Sequence, residues 1–237
     1  LCIRDYLMNS TYGRGISGSQ ISDSSFEAAA NYCDEEIDFV LDDGNTVRQK
    51  RFTLNGVVTV GESSLAILNK LLSSCRGMLV YTGGFYKLII DKAESASLTF
   101  DESNILPNFN ITLPGKNSLA NRVSANYFNP DREWQADFEY AESVVYKTAD
   151  NEILLERKIE LPFTADRLMA FYIAEQTMKQ SRQGLLIEFN TTQEGILAEV
   201  GDVIYIKLDA PGWTSLNSGS GKLFRVIQVT LEVTDEV

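Results

Sequence analysis

Over residues 52–91 the apolar positions change period from two to nearly four and back. Leu65, Leu68, Leu72 and Cys75 share one side of a helix over 63–76, and the flanking segments alternate as half-buried strands do. Ser63 or Ser64 can cap the helix, and Gly77 stands where a left-handed terminating residue is expected. Residues 78–81 then run into Thr82, Gly83 and Gly84 before 85–90 returns, the glycine pair of a short hairpin. The pattern predicts a compact βαββ unit around which the chain is organised.

Upstream, 2–8 reads as a short helix and 12–25 as a Gly/Ser-rich connection with little that could pack. Residues 25–40 predict a helix with Phe26, Ala29, Ala30, Cys33 and Ile37 on one face. A turn over 42–45 leads to a loosely alternating strand over 46–60, interrupted at Asn55 and Gly56. Downstream, 95–100 is short and extended, and 101–110 is an irregular link holding Pro107. The cluster 114–118 is the best domain boundary.

Beyond it strands dominate. Val123, Ala125 and Tyr127 alternate inward, 134–140 follows, and Leu155, Ile159 and Leu161 oppose Glu156, Lys158 and Glu160. One helix, 164–180 with Thr164 as cap, presents Leu168, Phe171, Tyr172, Ala174 and Met178 as an apolar arc, with Met169 and Ile173 outside it. Phe171 and Tyr172 read as packing against the sheet rather than as pocket lining. Strands over 185–191, 203–208 and 223–233 close the chain, the last with Ile227, Val229, Leu231 and Val233 on one face. The expected fold is α+β and β-rich: a connector over 1–24, an α/β domain over 25–114, and a small antiparallel β-barrel over 115–237 carrying the one helix.

Composition narrows the chemistry. A chain of 237 residues, 44% hydrophobic and 23% charged, is an ordinary globular protein, and it has no apolar run of membrane-spanning length. The opening at Leu1 without Met reads as a fragment of something longer. A net charge of −12 argues against tight nucleic-acid binding, which needs cations to replace phosphate counterions. The absence of histidine removes the commonest general base and metal ligand. Cys2, Cys33 and Cys75 are too scattered for a disulfide framework or a zinc site, which fits a reducing compartment.

The local motifs are decoys. Gly13, Gly15 and Gly18 match a dinucleotide fingerprint without the strand and helix it requires. Gly221-Lys222 lacks the first glycine and the Ser or Thr of a phosphate loop, and the sequons at Asn9, Asn110 and Asn190 mean nothing without secretion. Asp34, Glu35 and Glu36 diverge around a helix and read as a solvated face. Asp131, Glu133, Asp137 and Glu139 alternate onto one strand face, where two could flank a glycosidic bond, but a solvent-facing edge is the stronger reading. No catalytic, cofactor-binding or metal residue is assigned, and no cofactor is expected.

A succession of segments resembles the central tail-tip proteins of long-tailed bacteriophages, the lambda-type tip attachment family. They are Asp5-x-Leu7-x-Asn9, Tyr12-Gly13-x-Gly15-Ile16, Tyr32-Cys33-Asp34-Glu35, Arg51-Phe52-x-Leu54-Asn55-Gly56, Arg76-Gly77 and Gly83-Gly84. They continue as Asn121-Arg122-Val123, Tyr127-x-Asn129-Pro130, Trp134-Gln135, Leu161-Pro162-Phe163 before Arg167, Gly201-Asp202 and Phe224-Arg225-Val226. The resemblance implies hub domains that assemble as a threefold ring continuing the tail tube, beside other tail-tip and tail-tube proteins. It also implies a place at the virion tail tip after synthesis in the host cytoplasm, receptor-binding parts beyond this chain, and no enzymatic residue. An acidic channel lining would repel DNA phosphates. Two competitors stand: a carboxylate-dependent cell-wall hydrolase, and a receptor- or glycan-binding module marked by an exposed Trp213.

Overall fold

The computed structural model describes residues 1–41, 43–58 and 61–231. Its helices are α1 (Cys2–Met8), α2 (Asp23–Asp34), α3 (Ser64–Ser73), α4 (Val144–Ala149) and α5 (Arg167–Ser181). Its strands are β1 (Glu36–Val40), β2 (Thr46–Lys50), β3 (Gly77–Thr82), β4 (Phe85–Ile90), β5 (Leu98–Phe100), β6 (Asn110–Thr112), β7 (Arg122–Asn129), β8 (Gln135–Glu142), β9 (Glu156–Glu160), β10 (Leu186–Glu188), β11 (Val203–Ile206) and β12 (Lys222–Arg225). The fold is mixed α+β and strand-rich, as expected. Among the described residues no sheet closes into a barrel, because the strands after Asn121 do not all pair with one another. Sheet β8-β7-β9 keeps two free edges, while β10 joins β6 and β11 lies between β12 and β5.

The chain divides into two compact units that interleave. Unit 1 is 1–91 with 114–184, and unit 2 is 92–113 with 185–237. The sequence reading is sequential, with boundaries after 24 and 114. The pairing of β5 with β11 and of β6 with β10 ties the middle of the chain to its last third instead.

In unit 1, β7 pairs antiparallel with β8 and parallel with β9. Val123, Ala125 and Tyr127 are buried as predicted, and α5 packs on β7 and β8. Its buried stripe is Met169, Ala170, Ile173, Ala174 and Met178. The arc expected from sequence is thus rotated: Met169 and Ile173 are core, and Phe171 is exposed. Asp166, not Thr164, caps α5; its Oδ1 accepts from Met169 N at 2.7 Å and from Gln49 Nε2 at 2.8 Å. A carboxylate suits the positive end of the helix better than a hydroxyl. Thr164 is buried two positions earlier.

The βαββ reading holds for α3, β3 and β4 and fails for the strand before them. That strand ends at Lys50, and residues 52–58 are irregular, while Val60 lies outside the described residues. Ser63 Oγ caps α3 by accepting from Ala66 N at 3.2 Å. Ile67 and Leu71 are buried with Cys75, whereas Leu65 is 69% exposed. The left-handed residue after the helix is Arg76 (φ 52°), so Gly77 is free to open β3. The β3–β4 hairpin turns on Gly83 (φ 60°) and Gly84 (φ 88°), as the glycine pair predicts.

The helix expected over 25–40 stops at Asp34, and Ile37 lies on β1, which pairs with β2. Residues 1–24 pack more than their composition implies: Ile3, Tyr6, Leu7 and Ile21 are core, and Ser22 N donates to Tyr86 O at 3.0 Å. In the 42–45 turn, Asp42 lies outside the described residues, and Asp43 Oδ1 accepts from Asn45 N at 2.9 Å.

Unit 2 has its own small core of Phe100, Ile105, Ile204, Ile206, Leu208 and Trp213. Ile204, Ile206 and Leu208 are buried in the predicted alternation. The last strand is shorter than predicted: β12 ends at Arg225, and Ile227, Val229 and Leu231 are exposed, with Val233 outside the described residues.

Candidate functional site

The sequence of β8 alternates, so its two faces differ. Asp137, Glu139 and Ala141 point to the α5 side, and Ala136, Phe138 and Tyr140 point away. On β7 the same outward face carries Ser124, Asn126 and Phe128, and on β9 Asn126 stands opposite Glu160. Phe138 is 62% exposed, Tyr140 47% and Phe128 41%, and Trp134 in the β7–β8 turn is also exposed. Beside them lies an open groove of about 470 Å³ lined by Asn126, Phe128, Ala136, Glu160, Pro162 and the Asn69–Ser73 side of α3. Asn126 Nδ2 donates to Glu160 Oε1 at 2.7 Å across the groove. An exposed aromatic face on a sheet is suited to burial against another protein surface.

The four acids proposed for one strand face do not share it. β8 starts at Gln135, which leaves Asp131 in a short 3-10 turn and Glu133 in a left-handed conformation (φ 55°). Asp137 accepts from Asn129 Nδ2 at 2.9 Å and pairs with Arg132 at 3.3 Å, and Glu139 lies 3.6 Å from Arg167. The amide of Asn129, with the Phe138 backbone N–H, holds the Asp137 carboxyl below its usual range. That keeps it ionised and unsuited to donate a proton.

Asp34, Glu35 and Glu36 also diverge, as expected. Each meets a cation across the β1–β2 hairpin: Lys50 at 2.7 Å, Arg51 at 2.6 Å and Arg48 at 3.2 Å. Among the described residues no three acidic or sulfur side chains form a metal-binding group. Trp213, expected on the surface of a receptor-binding module, is 7% exposed, packed at a tilt against Phe224 and approached by Lys222. Its loop is polar, but the ring closes the core of unit 2.

The fingerprint segment folds back over the end of α1 and opens no nucleotide-binding helix. Arg14 N, Gly15 N and Ile16 N donate to the carbonyls of Tyr6, Asn9 and Leu7 at 2.9–3.0 Å. A Cβ on Gly13 would lie 1.9 Å from Tyr6 O, so only glycine lets the chain pass this close. Gly13→Ala is expected to cost at least about 2 kcal/mol in chemical denaturation, because the clash is with backbone that cannot turn aside.

Asn121 and Arg225, two residues that carry the family resemblance, are structural junctions, and Arg182 joins the first of them. Asn121 is fully buried; its Nδ2 donates to Asp150 and to Ile153 O at 2.8 Å each, and its Oδ1 accepts from Leu155 N at 2.9 Å. Arg182 reaches Asp150 at 2.9 and 2.6 Å and Ala120 O at 3.1 and 2.9 Å. In unit 2, Arg225 donates to Gly201 O and Lys92 O at 2.7 Å each. Sequence reasoning missed the exposed Phe128–Phe138–Tyr140 face, visible only once strands are paired.

A family model described as "Putative phage tail protein" matches residues 63–229. The chain is 24% identical over 234 residues to the tip attachment protein J of Escherichia phage SECphi27, covering 95% of this chain and 18% of that protein. A chain from the virion of a native gene transfer agent particle has a similar fold, with a TM-score of 0.58 and 15% identity. That match covers 74% of this chain and 38% of the virion chain. Among the described residues no helix is long and apolar enough to cross a membrane.

Proposed function

Because this chain belongs to the phage tail protein family matched over residues 63–229, we propose that it is a structural hub module of a tail tip that works through assembly and not catalysis. The observation that carries the reading is the outward face of β8-β7-β9. Phe128, Phe138 and Tyr140 stand exposed there on a sheet whose other face is covered by α5. Contacts with neighbouring tail proteins would bury them.

In this reading, copies made in the host cytoplasm join as a threefold ring that continues the tail tube and lets DNA pass, using contacts that close around the axis. Other tail-tip and tail-tube proteins complete the surround. The two units act as hub domains, and residues 1–24, packed into the core of unit 1, belong to the first of them. The net charge of −12 supports a module that DNA passes without adhering to. The chain spans 18% of the length of the tip attachment protein it matches, so host recognition would fall to other parts of the parent protein.

The test places Phe138→Asp and Tyr140→Ser in the parent protein of an infectious phage. Completed tails and infectious titre are expected to fall by at least about tenfold, since two anchors of a buried contact are lost. Normal tails with normal infectivity would overturn the reading, and normal tails that fail to adsorb would make this face a receptor site instead.

A further inference from the structure

Past β12 the chain runs on outside any sheet. Val226 is the last residue held by the neighbouring turn, its N–H donating to Asp202 O and its carbonyl accepting from Gly201 N, both at 2.8 Å. Among the described residues, no backbone N–H or C=O of residues 227–231 has a backbone partner. Gln228 Nε2 donates to Thr230 Oγ1 at 3.4 Å, which places these two side chains on one side of the segment. Ile227, Val229 and Leu231 fall on the other, at 60%, 39% and 72% exposure. The segment thus has the two-sided pattern of a strand, no charged side chain and backbone groups free to pair.

One sheet edge complements it. Among the described residues β8 is the longest strand with an unpaired side, eight residues bordered by β7 alone. Its outward row is Ala136, Phe138 and Tyr140, and its other row holds Asp137 and Glu139. Phe138 N donates to Asp137 Oδ1 at 3.0 Å, a local bond that an added strand can replace. Laid antiparallel, the more stable pairing per residue, Ile227, Val229 and Leu231 stand opposite Tyr140, Phe138 and Ala136. The same register sets Gln228 opposite Glu139 and Thr230 opposite Asp137, a hydrogen-bond donor for each carboxylate and no pair of like charges. The other edge of this sheet, β9, carries Glu156, Arg157, Lys158 and Glu160 within five residues, a density of charge that discourages strand addition.

We propose that residues 227–231 of one copy add as a strand to the free edge of β8 in a second copy, extending sheet β8-β7-β9 and covering its aromatic row. The contact joins two different surfaces, so each copy both donates a strand and receives one, the heterologous kind of contact from which rings are built. The proposal rests on the assembly reading of the Phe138 and Tyr140 face and names what lies on it.

The experiment uses the full chain carrying Cys2→Ser, which removes the exposed native thiol. Ala136→Cys is made in one preparation and Leu231→Cys in another, and the two are mixed and treated with a mild oxidant. Residues facing each other across an antiparallel pair lie within disulfide reach, so a covalent dimer is expected at about tenfold or more over either preparation alone. Peptide mapping should join position 136 of one chain to position 231 of the other. Val229→Pro removes a donor N–H at an exposed position outside any sheet, and is expected to abolish the dimer while leaving the unfolding temperature unchanged. A dimer formed through Lys158→Cys in place of Ala136→Cys, or none through position 136, would overturn the proposal. Val229→Pro in the parent protein of an infectious phage separates the two readings. Tails lost with Phe138→Asp but intact with Val229→Pro would leave the face an assembly surface and overturn this occupant. The 136–231 dimer with normal Phe138→Asp tails would keep the strand contact and overturn the assembly reading.

Discussion

Arg182→Ala is expected to destabilise unit 1 by about 3 kcal/mol in equilibrium denaturation, among the largest losses any single substitution outside the apolar core would cause. The guanidinium and Asp150 are both mostly buried, at 18% and 12% side-chain exposure, and their contact is bidentate. Removing the cation strands Asp150 with only Asn121 to solvate it and leaves Ala120 O short of two donors. The Arg182 side chain also stacks on Tyr146, its Cζ 4.7 Å from the ring centre, so packing is lost with the charge. Arg182→Lys would retain a charge but not the fork, and is expected to recover less than half of the loss.

The same contact gives a pH signature. Hydrogen bonds from Arg182, with help from Asn121, lower the Asp150 carboxyl to about 2 from an ordinary value near 3.8. A carboxyl depressed in the folded state contributes stability above its unfolded pKa and loses it as pH falls through the folded one. Wild-type stability should therefore decline between about pH 4 and pH 2, and the Arg182→Ala protein should be flatter across that window. Denaturation midpoints measured at intervals through the range read the difference. Equal slopes would show that Arg182 does not hold Asp150 ionised.

Met169→Ala is expected to cost a similar amount, about 3 kcal/mol. Met169 is 1% exposed under the β7–β8 sheet, where little can collapse into the space left behind. Its sulfur also accepts from Thr53 N at 3.3 Å, the one feature leucine cannot copy. Met169→Leu should therefore lose only about 1 kcal/mol, and the gap between the two variants separates volume from hydrogen bonding. If the two lose the same amount, the sulfur contact is what matters at this position.

The parts of the fold legible in the sequence are those set by neighbouring residues. The β3–β4 hairpin needs two positive φ angles in a row and has two glycines there, and the cap at Ser63 requires only the residues that follow it. Helix faces were less legible. α3 has Leu65, Ile67, Leu68, Leu71 and Leu72, so apolar residues surround most of it, and only the packing of α1 and β3 decides that Leu65 is left out. α5 is ambiguous for the same reason, with Phe171 and Ile173 exchanging roles.

The element types that changed did so through distant partners. Ile37 continues a helical spacing, yet Glu36–Val40 becomes a strand because β2 returns beside it and brings Arg48, Lys50 and Arg51 to the three acids. The short α4 opens on Val144 and Val145, both exposed, so it carries no apolar stripe to find. The candidate surface had the same fate. Phe128, Phe138 and Tyr140 are scattered in the sequence and meet only across paired strands, while Trp213, in a Gly/Ser loop, turns inward.

The interleaving of the two units sets an order of events on the ribosome. Everything in unit 1 has been synthesised once residue 184 emerges, but β5 must wait for β11, just over a hundred residues later, and β6 for β10, about three quarters of that. Until then those two short segments are open-edged, and the nascent chain carries them past a body that is already able to fold. Their shortness, three residues each, limits the template they offer to stray partners during that delay.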